Sequence, residues 1–169
     1  MSFNEKECSG KEFAVTKDRS HRNHWYNRAR ELHAAAEALW CAETVSRSVY
    51  YMLCGLALEV IMKGIIASRG EAPPTKHDLN VLADRTKVKR NKEERLLLHF
   101  LTESVLWAGR YPIPKDADDK KLEDYSALAR SVMEKPATAG TMLIERSGAT
   151  DWENFDELWR KYAAEFDHT

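Results

Sequence analysis

The chain has little with which to staple itself. Its three cysteines, Cys8, Cys41 and Cys54, make an odd number with no CxxC spacing. Cys41 and Cys54 sit inside apolar helical patterns, so a disulfide framework is not expected and a reduced cytoplasmic chain is the simplest reading. Net charge is also missing: 26 basic residues against 27 acidic ones leave −1. That balance names no partner, and a nucleic-acid surface would have to be a local patch. No P-loop, GxGxxG, HExxH, GxSxG or metal-spaced Cys/His set is present, and no internal repeat or low-complexity segment. His21 and His24 are three apart but lack acidic partners at ligand spacing, so neither a metal nor another cofactor is expected. The opening MSFNEKECSGKEF lacks the basic-then-apolar pattern of a secretory signal. Only residues 49–67 are apolar for long enough to raise the question of a membrane. Glu59 and Lys63 near the middle of that run, and the lack of a second such run, argue against a span.

What remains is a chain written in helices. At 169 residues it reads as one domain with its own core: a flexible N-terminal tail over residues 1–16, then a single helical domain over 17–169. A first helix is expected over 19–40, where Trp25, Ala29, Leu32, Ala36 and Leu39 step by 4, 3, 4 and 3. Its first turns hold Arg19, His21, Arg22, His24, Arg28 and Arg30. Positive charge there opposes the helix dipole, which points to an anionic neighbour or to a solvated basic face.

The second helix starts near residue 44. Val45, Val49, Met52, Leu56 and Val60 make its main stripe, Leu53 widens it, and Tyr51, Cys54, Leu58, Met62 and Ile65 lie opposite. A helix apolar on most sides is central in its bundle or lies in a subunit interface. Lys63 falls within the main stripe and Glu59 beside it, in the favourable Glu-before-Lys order. Gly70 is placed to end this helix, and Pro73-Pro74 bar its continuation. Thr75-x-x-Asp78 resembles a capping box opening a short helix, 77–85, with His77 in its first turn as a neutral acceptor. Lys87, Lys89, Arg90 and Lys92 form a basic loop of the kind that takes phosphate when it is not merely solvated.

A fourth helix is expected over 91–109, with Arg110 well placed for the dipole at its end. A fifth runs over 122–133, and TMLIER (141–146) is a short strand or a turn of helix. The last helix is introduced by a Thr150-x-x-Glu153 capping box and carries Trp152, Phe155, Trp159, Tyr162 and Phe166 as a core or interface stripe. The whole is all-α, an antiparallel helical bundle of five or six helices.

Three stretches together, GLALEVIMKGIIASRG (55–70), PPTKHDLNVLADR (73–85) and ESVLWAGRYPIP (103–114), resemble HEPN proteins (higher eukaryote and prokaryote nucleotide-binding domains) over roughly residues 20–115. The resemblance rests on Leu56 to Glu59, Lys63, and His77 to Leu79. It implies a small helical bundle that commonly forms a homodimer. It further implies an association with RNA in bacterial toxin–antitoxin, phage-defence or RNA-processing systems, beside an antitoxin or a nucleotidyltransferase. Many members are metal-independent endoribonucleases carrying Arg, four to six residues, then His. A histidine can move the ribose 2′-OH proton or protonate the leaving oxygen while an arginine holds the phosphate. Arg28-AREL-His33 has that spacing, as does Arg19-SHRN-His24. Arg28 and His33 lie about 140° apart on the helix wheel, so one phosphate meets both only in a cleft shared with another element or subunit.

The expected sites are therefore Arg28, His33 and His77 for catalysis, with Glu59, Lys63, Arg110, Arg22, Lys89 and Arg90 for binding. The alternative is a catalytically silent HEPN-like dimerisation and protein-interaction module. Whether Glu59, Lys63, His77 and Arg110 converge in an open cleft or in a dry, paired cluster separates a site from a structural knot.

Overall fold

The computed structural model describes residues 22–42, 47–115, 118–137 and 144–167. The expected N-terminal tail, Arg19 and Val45 lie outside them. Six helices form the fold: α1 (Arg22–Cys41), α2 (Arg47–Ser68), α3 (Leu79–Thr86), α4 (Lys92–Glu103), α5 (Asp119–Met133) and α6 (Trp152–Asp167). A small hairpin of β1 (Glu134–Pro136) and β2 (Ile144–Arg146) is inserted before α6, with Lys135 opposite Glu145. The all-α expectation therefore holds, and the TMLIER stretch ends in a strand.

The packing partners give the directions. Trp40 near the end of α1 touches Tyr50 near the start of α2, and Trp25 at the start of α1 lies against Gly64 near the end of α2. Those two helices are antiparallel. Tyr26 stacks on Phe166 while His33 meets Trp159, so α6 runs antiparallel to α1. Gly55 of α2 abuts Leu101 and Val105, and Met52 abuts Gly109, so α4 and its extension run antiparallel to α2. The second helix is thus the hub of the bundle, with α1, α3, α4 and α6 around it. That position, rather than a bilayer, accounts for its apolar composition.

The buried side of α2 is the opposite of the stripe the periodicity favoured. Cys54, Leu58, Ile61, Met62 and Ile65 are in the core, whereas Val49, Met52, Leu53, Leu56 and Val60 are only partly covered. Burying each of the fully enclosed aliphatic side chains stabilises the fold by about 1.5–3 kcal/mol. In α1 and α6 the expected stripes do face inward, through Ala29 and Ala36 and through Phe155, Trp159, Tyr162 and Phe166, and α4 buries Leu97, Phe100 and Leu101.

Helix starts differ in two places. The side chain of Asp78 accepts from the backbone N–H of Asn80 and Val81, so Asp78 is the N-cap of α3. His77 therefore precedes the helix instead of sitting in its first turn. Likewise α6 begins at Trp152, directly after Asp151, with Thr150 buried in the preceding turn. At α3 the Asp78 carboxylate accepts the free N–H groups directly, at shorter reach than a threonine three residues upstream. Asp78→Ala should lower stability by about 1 kcal/mol in urea unfolding, with Thr75→Ala close to neutral. The reverse order would restore the Thr75 cap.

The expected 91–109 helix also changes character midway. Asn91 and Glu94 make a reciprocal capping box, and α4 runs regularly to Glu103. Residues Ser104–Ala108 then widen into a π-helical turn closed by Gly109 N–H to Ser104 C=O at 2.9 Å. Ser104 also returns its hydroxyl to Phe100 C=O at 3.0 Å, a local competition that loosens an α-ladder.

Candidate functional site

The polar pair set into α2 has a third member. Glu59 Oε1 accepts from Lys63 Nζ at 2.8 Å, one helical turn on, and lies 2.8 Å from His77 Nδ1 at the end of the α2–α3 connection. Glu59 is only 5% exposed, the Lys63 side chain 13% and the His77 side chain 46%. One carboxylate oxygen thus serves two cation-forming groups, and Glu59 Oε2 is buried with no hydrogen-bond partner. A buried oxygen without a bond costs stability, which the bonds of Oε1 to Lys63 and His77 offset. Sequence spacing brought Glu59 and Lys63 together, and the proline turn brings His77 to them. Arg110 does not join them. Its guanidinium Nε donates to Val105 C=O at 3.0 Å, satisfying the end of the π-helical turn.

A second cluster lies between α1 and α6. His33 Nε2 is 3.0 Å from Asp156 Oδ1, and Asp156 Oδ2 accepts from Arg160 at 2.7 Å. The imidazole is packed among Trp159, Trp152 and Phe155, with ring centroids 4.7, 4.8 and 5.7 Å away. Burial lowers the His33 pKa from its ordinary value, and the Asp156 and Glu37 carboxylates oppose that without reversing it. His33 therefore opens neutral onto a cleft of about 700 Å³ lined also by Tyr26, Asn27, Arg30, Glu31, Glu37 and Arg160.

Arg28, which shares the expected spacing with His33, is not among the cleft's lining residues. It pairs with Glu31 at 3.0 Å where both side chains are 66% exposed. Arg30 does line the cleft, its guanidinium 5.8 Å from the centre of the Tyr26 ring. With His33 neutral, the lining carries Arg30 and Arg160 against Glu31, Glu37 and Asp156, a net negative balance.

The lowered His33 pKa has a consequence for stability. Its folded value lies below the unfolded 6.5, so the unfolded chain binds more protons as pH falls through that window. Stability is then fully present above pH 6.5 and declines below it. His33→Gln, which cannot be protonated, should flatten that part of the stability–pH curve. An unchanged slope would mean that another group sets it.

The basic loop is mainly a strut. Arg90, with a side chain only 2% exposed, donates to Asn80 Oδ1 at 2.9 Å and pairs with Asp84, tying the loop to α3. Lys89 is exposed and Arg22 opens α1. Sequence reasoning missed Asp156, Arg160 and Arg30 as neighbours of His33. Asp156 is 123 residues away from it along the chain, and no local pattern announces such a contact. It also missed Arg69, which donates to Thr86 C=O at 3.1 Å and pairs with Glu165, joining the ends of α2, α3 and α6. No group of three or more potential metal ligands occurs among the described residues.

A family model described as HEPN domain matches residues 23–138. That span takes in α1 to α5 with β1, and leaves β2 and α6 outside. Searches of curated proteins and of solved structures returned no match.

Proposed function

The chain belongs to the HEPN domain family, and from that membership we propose that it works as a catalytically silent, homodimeric interaction module. Its partner would be a protein encoded beside it, such as an antitoxin or a nucleotidyltransferase, in an RNA-associated toxin–antitoxin or phage-defence system. One observation carries the reading: Arg28 and His33, one of the two pairs with the nuclease spacing, do not share a space. Arg28 turns to Glu31 on the surface, and His33 is held by Asp156 in a cleft whose charge balance is negative. A polyanion gains little there. The part-covered apolar residues Val49, Met52, Leu53, Leu56 and Val60 suit a protein surface better than RNA. Leu106, Tyr111 and Ile113, just beyond α4, are further exposed apolar groups that favour the same reading.

A second reading is favoured by the His33–Asp156 contact. A neutral imidazole oriented by a carboxylate suits proton abstraction from a ribose 2′-OH, with Arg30 or Arg160 taking the phosphate. This would be a metal-independent endoribonuclease. One experiment separates the two: the purified protein with a mixed RNA pool and chelator, beside His33→Ala and His77→Ala. No cleavage, with a chain that elutes at twice its monomer mass, is the expected result. Cleavage abolished by His33→Ala would replace the module reading with the nuclease one.

A further inference from the structure

Where α2 ends, a groove of about 650 Å³ lies between Trp25 and the bend that follows the helix. Its walls are apolar: Trp25, Ala67, Ala72, Pro73 and Pro74, with Gly70 at the turn. Two charged residues line it, Lys63 and Glu71, and Glu71 is already engaged by Arg85 at 2.6 Å. We propose that this groove binds a small apolar molecule carrying a single carboxylate, with Lys63 as the anion's partner.

The chemistry of Lys63 supports this. An ammonium has three donors, and Glu59 takes one of them at 2.8 Å. Glu59 thereby fixes the ammonium in place while leaving donors for another acceptor. The same carboxylate is bonded to His77, so the connection carrying the groove's far wall is anchored to the base of the site. A lone lysine, already paired with its own glutamate, has donors left for a single carboxylate and is poorly suited to a polyphosphate or a nucleic-acid backbone.

The groove is also preformed. Arg85 donates to Ala72 C=O at 3.2 Å while holding Glu71, which clamps the bend from the α3 side. Two consecutive prolines restrict the backbone between the clamp and His77. On the opposite wall Trp25 rests directly on α2 at Gly64, where a Cβ would come within 2.7 Å of the Trp25 Cβ. A largely apolar concavity with a few placed polar groups, here Lys63, Glu71 and Thr75, already held open, is the general form of a small-molecule site. The site uses neither Arg28 nor His33, and so stands apart from the functional reading above.

The test uses 3-phenylpropionate and its neutral counterpart 3-phenylpropanamide as probes of the full chain, followed by two-dimensional NMR titration. Saturable shifts at the Trp25 indole and the Ala67 methyl are expected with the carboxylate, and binding of the amide at least about tenfold weaker, the loss typical of a charged hydrogen bond. Lys63→Gln keeps a donor for Glu59 but removes the charge, and should erase the preference for the carboxylate. Ala72→Trp, on the exposed bend, should fill the groove and abolish binding of both probes with Lys63 intact. Equal affinities for the two probes, no binding of either, or unchanged binding in Ala72→Trp would overturn the proposal. If Lys63→Gln does not fold, the probe comparison and Ala72→Trp still decide it.

Discussion

Glu59→Ala should be among the most damaging single changes in this chain, lowering stability by about 3–5 kcal/mol. It strands the Lys63 ammonium, whose side chain is 13% exposed, without the carboxylate bonded to it, and it opens a hole beside the hub helix. His77 loses its anchor at the same moment, although its half-exposed ring can turn to water. The paired replacement Glu59→Met with Lys63→Met should be far milder, because two apolar side chains of similar volume remove both charges together. Urea unfolding of the single and double variants measures the difference directly. A double variant as unstable as the single one would show that the pair is net stabilising. A double variant close to wild type would show that the charged pair adds little net stability.

The helices of this fold were legible because each outer helix is written as a stripe. In α1 small alanines alternate with larger apolar groups, and in α6 five aromatic residues recur at helical spacing. Those patterns leave one face to bury, and that face is buried. The hub helix was legible as a helix and as central, but not in its rotation. With apolar residues nearly all round, periodicity cannot rank its sides. What decides is where neighbours come close, and they come close at Gly55 and Gly64, against Leu101, Val105, Trp25 and Phe166. Small residues carry no weight in a hydrophobic stripe, so the stripe that looked dominant is the one left partly open. The same blindness applies to the site. Glu59 and Lys63 met because they are four apart on one helix, a local fact. His77 meets them through a turn that its prolines signalled. Asp156 reaches His33 only through the packing of α6 on α1, and such a contact is written in no single segment.

Gly64 offers the sharpest test of that packing. A glycine inside a helix costs about 1 kcal/mol relative to alanine, and in a 22-residue helix it needs a reason. The reason is contact: a Cβ there would lie 2.7 Å from the Trp25 Cβ and 3.1 Å from a ring carbon of Phe166. The first neighbour is the root of a side chain, so it cannot move without α1 moving. Gly64→Val should therefore cost about 3 kcal/mol through overpacking, and it should shift the Trp25 and Phe166 signals together. Gly70 provides the contrast. It has φ +76° with nothing within 4 Å of its would-be Cβ, so Gly70→Ala meets only backbone strain, about 1 kcal/mol, and leaves Trp25 unmoved. If Gly64→Val unfolded at the wild-type midpoint, α1 and α6 would not be seated on α2 as described. The groove beside Lys63 and the cleft around His33 both depend on that seating: Trp25 walls the one, and α1 with α6 frames the other.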